Sequence, residues 1–461
     1  MHFWAKNLYI SEKSTNFAGE NAEKDTKNYN KQPEKDTKIC LKKKIISKLE
    51  FWVKNHNHEA LLIKGARQVG KTTTIREFAR VHYAHLVEIN FELNPEAKDA
   101  FSGSLDAESI YRRLSLLGYG PFIPRKTLLF LDEIQSCPNA RTAIKFLVED
   151  GRIDVIESGS LLGINYADVS SYPVGYESQI EMFPLDFEEW LWANNIVIDF
   201  NQKIDEFTHN QLMKQYRAFL IVGGMPKVVT TYLSNPDFAE TLRQQRILID
   251  SYRLDIAKYA GSEKTKAKRF FDAIPSQLSK AHKRYIFRDL EQTGNMQKYA
   301  DAAQWLEDAG IAYFCYNTHA LNLPIEQYEN RNLFKVYLLD TGLLCAMWKD
   351  PIQQKVMNGE VDVNEGALTE NFVANELVKR GANLHYYDHK GKDELDFIIP
   401  NNKAVTILEV KSGNNYKKHA ALDNVLDRQH EYIDKAIVLN KFMPEQIEDI
   451  TYLPLYMVAK A

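Results

Sequence analysis

The sequence predicts an α/β protein built on a parallel sheet, and three observations carry that prediction. A glycine-containing loop, Gly65-Ala66-Arg67-Gln68-Val69-Gly70-Lys71-Thr72, follows a short apolar run and precedes a helical stretch. A second apolar run, Thr127 to Leu131, ends in the paired carboxylates Asp132-Glu133. From residue 41 to 185, apolar strands alternate with helices, the pattern of strand–helix–strand units wound into one sheet.

The loop matches G-x-x-x-x-G-K-[ST], the phosphate-cradling loop. Its glycines let the backbone curl so that successive N–H groups point at an anion. Lys71 supplies a point charge, and the Thr72 hydroxyl can hold Mg²⁺. Ala60–Lys64 reads as the strand before the loop. Thr72–Arg80 reads as the helix after it, with its N-terminus facing the phosphates. Gly65 through Thr73 are therefore the candidate nucleotide contacts, with ATP as ligand and Mg²⁺ as its companion ion.

The strands expected in this region are Leu61–Lys64, Leu86–Phe91, Leu128–Leu131, Ile153–Ser158 and Gln179–Met182. A strand buried on both faces stays apolar until its C-terminal edge, and ligands of open α/β sheets bind at that edge. Asp132 is placed there to contact Mg²⁺, and Glu133 to activate the attacking water. Ser158-Gly159-Ser160 ends the fourth strand. Ser158 is the candidate sensor of the γ-phosphate, and Ser160 the alternate.

Bulk properties bound the rest. The 461 residues suit two or three domains, and 44% hydrophobic with 26% charged residues is an ordinary globular balance. A net charge of −4 gives no global basic signature, so any nucleic-acid contact has to come from local patches. Cys40, Cys137, Cys315 and Cys345 lack C-x-x-C spacing, which points away from a zinc site or a disulfide framework and toward a reducing cytoplasm. No apolar run has the length of a membrane span, and the N-terminus lacks the apolar core of a secretory signal.

Residues 1–40 are polar and mixed in charge, and read as a disordered arm. After the core at 41–185, residues 186–270 read as a helical lid interrupted by Ile221-Val222-Gly223-Gly224-Met225-Pro226. Residues 271–345 suit a winged-helix-like segment: helix, Gly294, helix, Ile311–Tyr316, a turn, and Ala320–Leu323. Its second helix carries Asp301, Glu307 and Asp308, a poor surface for phosphates. Lys264, Lys266, Lys268, Arg269, Lys280, Lys283 and Arg284 form the better basic patch for DNA.

Residues 394–411 read as a hairpin turning at Pro400-Asn401-Asn402-Lys403. Pairing Ile399 with Ala404 sets Asp396 opposite Ile407 and Glu394 opposite Glu409. Glu394, Asp396, Glu409 and Lys411 then share one face with Ile398, Val405 and Ile407. Like charges opposite one another repel, so this face calls for a cation, and carboxylate oxygens suit Mg²⁺ or Mn²⁺. Upstream, Glu370 lies on the apolar stripe of a helix over 368–377, where a carboxylate needs a partner.

Asp396 followed by Glu409-Val410-Lys411 resembles the D…E-x-K core of the PD-(D/E)XK nuclease-like fold. That resemblance implies metal at Asp396, Glu409 and Glu370, and a water-orienting Lys411. Taken together, GARQVGKTT (65–73), LLFLDEIQ (128–135), SGS (158–160), PLDFEEWL (184–191), VGGMP (222–226), LLDTGLL (338–344), E-N-F-V (370–373) and D…EVKSG (396–413) resemble prokaryotic AAA+-type ATPases that carry a C-terminal DUF4143 domain. The resemblance implies a P-loop ATPase core, a helical lid, a winged-helix-like segment and a nuclease-like domain over 346–461. Relatives often carry Gly-Arg where this chain has Gly175-Tyr176; if that arginine senses γ-phosphate, the role is absent here or moved to Arg217 or another arginine. Three classes follow: an ATP-gated nuclease, an ATP-driven switch whose end domain only binds protein or nucleic acid, and a module that binds ATP without turnover. ATP, DNA and further copies of the chain are the expected partners.

Overall fold

The computed structural model describes residues 41–55, 59–160, 173–348, 352–360, 365–389 and 391–461. The arm expected over 1–40 lies outside the described residues. The core begins α1 Ile45–Asn55, β1 Ala60–Gly65, α2 Lys71–His82, β2 His85–Asn90, α3 Ala107–Leu116, β3 Thr127–Asp132, α4 Pro138–Asp150, β4 Asp154–Ser160 and β5 Glu177–Glu181. These strands form one sheet in the order β2-β3-β4-β1-β5, with every neighbouring pair parallel. This is the parallel P-loop sheet predicted, with strand ends moved by one or two residues. β3 is buried along its whole length, as a central parallel strand must be.

The next stretch is helical: α5 Phe187–Ala193, α6 Glu206–Val222, α7 Pro226–Ser234, α8 Phe238–Tyr259, α9 Lys264–Leu278 and α10 Met296–Asp308. α5 begins with a capping box, Asp186 accepting from the Glu189 amide and Glu189 accepting from the Asp186 amide. Then come β6 Ala312–Thr318, β7 Glu329–Leu338, α11 Thr341–Met347, α12 Gln353–Asn358, α13 Glu365–Val378, β8 His385–Asp388, β9 Glu394–Pro400, β10 Val405–Val410, α14 Ala420–Gln429, β11 Ile433–Asn440, β12 Glu445–Ile447 and β13 Ile450–Pro454.

The second sheet runs β12-β13-β11-β10-β9-β8-β6-β7. β6 pairs antiparallel with β7 and parallel with β8, so the strands expected as the wing of a winged helix belong to the C-terminal sheet. The expected boundary at 345/346 therefore falls between strands of one sheet. Residues 320–323 form no strand; the partner of β6 starts at Glu329, after a 3-10 turn over Ile325–Tyr328.

The 394–411 hairpin forms, in a register two residues from the expected one. Ile399 faces Thr406, and Phe397 faces Leu408. Continued by one position, this pairing sets Asp396 opposite Glu409 rather than Ile407. A shift of two preserves which side chains share a face, so the sorting of acids survives while their partners change. The turn is set by Asn401, whose side chain accepts from the Lys403 and Ala404 amides at 2.8 and 3.0 Å.

Candidate functional site

The nucleotide-type site is assembled where the sequence placed it, on the C-terminal edge of the first sheet. Gly70 has φ +95°, a left-handed conformation that glycine supplies without strain. A Cβ on Gly65 would run into the Met182 carbonyl oxygen, so that position also requires glycine. The Lys71 ammonium donates to the Gly65 and Ala66 carbonyls at 2.9 and 3.0 Å. Burial lowers its pKa to about 8, and a polyanion beside it would hold it charged.

Asp132 is the hub. Its Oδ2 accepts from the Thr72 hydroxyl and from Asn90 Nδ2, each at 3.0 Å, and its Oδ1 accepts from the Ser158 hydroxyl. Thr72, Asp132 and Ser158 thus meet as predicted. The structure adds Asn90, which the strand-edge rule could have found, since Asn90 pairs with Asp132 in the β2–β3 ladder. Glu133 follows in a left-handed conformation, φ +54°. Its Oε2 accepts from Gln135 Nε2 at 2.5 Å, and burial raises its pKa. Gln135 Oε1 is buried without a hydrogen-bond partner. A carboxylate made more basic in this way, at the lip of a phosphate loop, is suited to receiving a proton from water. The side chain of the alternate, Ser160, lies outside the described residues.

Contacts from elsewhere in the chain hold the loop. The Lys43 ammonium donates to the Val69 carbonyl at 2.6 Å, and Tyr252 of α8 donates to the Arg67 carbonyl at 2.8 Å. Together with Lys71, they occupy loop carbonyls and leave the amides for an anion. This chemistry fits a magnesium-complexed triphosphate: Thr72 and Asp132 offer hard oxygens, and Lys71 offers the cation.

The C-terminal acids are brought together, but with lysines among them. Lys335 of β7, 1% exposed, lies 2.8 Å from Glu394 and 3.4 Å from Asp396. Lys283 pairs with Glu370, whose other oxygen accepts from Tyr337 at 3.2 Å. Lys411 lies 2.5 Å from Glu409. Asp396 also accepts from the Val410 amide at 2.9 Å. Burial alone would lift the Asp396 pKa; Lys335, Lys283 and that amide outweigh it and bring it below the usual range. Glu409, buried and facing Asp396, is raised to about 7.

The expected metal set of Glu370, Asp396 and Glu409 is corrected accordingly. The cation demanded by the crowded acids is supplied by Lys335, and among the described residues no cluster of three or more His, Cys, Asp or Glu is placed to hold a metal. The sequence signal for Lys335 was a lone lysine inside the apolar run Leu333-Phe334-Lys335-Val336. The basic patch is likewise largely neutralised: Lys266 pairs with Glu263, Arg269 with Glu291, Lys280 with Asp289 and Lys283 with Glu370. Arg217 stands against Gly359, beside α12, rather than in the phosphate site. Cys137, Cys315 and Cys345 are buried free thiols. Among the described residues no helix is long and apolar enough to cross a membrane.

Three family models match the chain. Residues 57–191 match the family model of an AAA domain, 213–354 a domain of unknown function (DUF8612), and 365–458 a domain of unknown function (DUF4143). An uncharacterized protein of Methanocaldococcus jannaschii is 22% identical over 420 residues, covering 85% of this chain and 82% of its own. An uncharacterized protein of Haemophilus influenzae is 25% identical over 342 residues, covering 71% and 76%. Among solved structures, a Walker-type ATPase of Pyrococcus abyssi aligns with a TM-score of 0.43 at 15% identity, over 67% of this chain and 96% of that one.

Proposed function

We propose that this chain, which carries an AAA domain and a DUF4143 domain, binds Mg²⁺–ATP at the edge of its first sheet and hydrolyses it. The observation that carries the reading is the convergence of Thr72, Asn90 and Ser158 on Asp132 beside the Lys71 loop. Lys71 and the loop amides hold the β- and γ-phosphates. Thr72 and Asp132 hold Mg²⁺, which when bound draws charge from the phosphate oxygens. Glu133 orients a water and takes its proton. The water oxygen bonds to the γ-phosphorus, the bond from that phosphorus to the β–γ bridging oxygen breaks, and ADP and phosphate leave. Ser158 links the γ-phosphate side of the site to Asp132.

The buried Lys335 favours a switch over an ATP-gated nuclease, because it meets the acid charge that a metal would otherwise meet. A path between the two halves exists. A Cβ on Gly70 would lie 3.5 Å from Pro226, and Asp340 ahead of α11 accepts from the Gly224 amide at 2.6 Å. The loop 222–226 thus lies beside the phosphate loop and is hydrogen-bonded to the segment leading to the second sheet. Calorimetry tests the site. Lys71→Ala loses ATP binding, whereas Glu133→Gln keeps binding and stops phosphate release. Wild-type turnover in Glu133→Gln would overturn the role of Glu133. Plasmid with Mn²⁺ remains uncut, and cleavage abolished by Lys411→Ala would restore the nuclease reading.

A further inference from the structure

The phosphate loop contains its own arginine. Arg67 Nη1 lies 2.6 Å from Asp255 of α8, and its Nη2 donates to the Tyr259 hydroxyl at 2.9 Å and stands 3.6 Å from Glu92. Its guanidinium also sits 5.0 Å from the centre of the Tyr259 ring. The Nε–H is buried with no acceptor. A guanidinium has five donors in a planar fork, and a buried one left unmet marks an arrangement that another acceptor could complete. The Arg67 charge lies close enough to Glu133 and Lys71 to bear on both.

Two further facts narrow its role. The stretch between β4 and β5, residues 161–176, contains no arginine or lysine. Arg217 stands beside Gly359, away from the loop. The γ-phosphate of a bound triphosphate therefore has Lys71 as its assigned cation, while Arg67 is anchored in the loop that cradles it.

We propose that Arg67 contacts the γ-phosphate in cis, leaving Asp255 and Tyr259 when a triphosphate occupies the site. This rests on the nucleotide reading above. The exchange is one of acceptors, from a carboxylate and a phenol on the lid to phosphate oxygens that match the fork of the guanidinium. Only side-chain torsions of Arg67 need change, since its carbonyl stays fixed by Tyr252. Release of Asp255 and Tyr259 frees the C-terminal end of α8. The contact would thus report a γ-phosphate to the lid as well as stabilise charge in the transition state.

The test uses the full chain with ADP, a non-hydrolysable ATP analogue and ATP. Arg67→Ala should bind ADP as wild type does, lose the preference for the triphosphate analogue, and turn over ATP about 1,000-fold more slowly. Arg67→Lys should recover part of the preference. Asp255→Asn separates this role from that of a structural latch: it frees the arginine, so its triphosphate preference should equal or exceed that of wild type. The proposal is overturned if Arg67→Ala keeps the wild-type analogue-to-ADP affinity ratio, or if Asp255→Asn loses that ratio as Arg67→Ala does. Wild-type protein that binds neither nucleotide instead overturns the reading of the site itself.

Discussion

A lysine in the middle of a buried strand is tolerated only where acids surround it, and Lys335 meets that condition. Burial by itself would lower its pKa, yet Asp396, Glu370 and Glu394 hold it well above the usual lysine value. Removing one member of such a group leaves the others charged and desolvated. Lys335→Ala should therefore lower unfolding stability by about 3–5 kcal/mol, read from a urea denaturation midpoint at neutral pH. A loss below about 1 kcal/mol, the level of an exposed pair, would show that the acids were already neutral. Legibility at this scale differed between the two sites. Lys71 and Thr72 were legible because a phosphate loop fixes residue types at fixed spacing along one segment, and Asp132 and Ser158 because each lies at the end of an apolar strand on the edge where such sheets bind ligands. The Lys335 site was not, because its cation comes from β7 and its acids from α13, β9 and β10, brought together only by sheet order. The demand for a cation was visible in the acids; its identity was not.

At the scale of elements, α4 is tied across the first sheet by one buried arginine. Arg141 Nη1 lies 2.6 Å from Glu157 of β4, and Arg141 also chelates Glu177 of β5. β1 runs between those strands, so the arginine ties two strands together across a third. Two carboxylates share one cation. Burial raises Glu157 to about 7, with Arg141 opposing and Glu177 adding to the rise. The folded pKa thus lies above the ordinary glutamate value of 4.5. Between these values the folded state binds more protons than the unfolded one, so stability falls as pH rises through that window. Glu157→Gln removes the dependence while leaving an oxygen for Arg141. Its unfolding free energy relative to wild type, read from urea denaturation, should climb between pH 5 and pH 8, by an amount on the order of 2–3 kcal/mol at most. A constant difference across that range would refute the assignment. Elements were the most legible level of the fold. All five parallel strands of the first sheet and the 394–411 hairpin follow from apolar period and turn residues. The hairpin register did not, because the Asn401 turn, not the strand pattern, decides between pairings two residues apart.

Across the whole molecule, one apolar core joins what the sequence divides into domains. It includes Ile63 of β1, Phe130 of β3, Phe219 of α6, Phe372 of α13 and Leu455 near the C-terminus. Phe372 packs edge-on against Tyr216, Phe219 and Phe187, with ring centres 5.0, 6.0 and 6.1 Å apart. The contact is polar as well: Glu376 accepts from the Phe187 amide at 3.2 Å, and Lys379 donates to the Leu185 carbonyl at 2.8 Å. The segments PLDFEEWL and E-N-F-V, both quoted as family signatures, are thus two sides of one joint, which no reading of either alone could reveal. A joint of this kind transmits a change at the phosphate loop only if both halves behave as one cooperative body. Full-length protein should therefore unfold in a single calorimetric transition, with calorimetric and van't Hoff enthalpies equal. Truncation after residue 364 would strip Phe372 from three aromatic rings and β8 from the edge of β6, leaving an exposed apolar patch beside an open strand. The shortened chain should aggregate on size exclusion, and Phe372→Ala in the intact chain should cost about 3–5 kcal/mol. A shortened chain that elutes as a monomer and still binds ATP would show instead that the AAA half folds alone, and that the path from Pro226 through Asp340 carries no obligatory coupling.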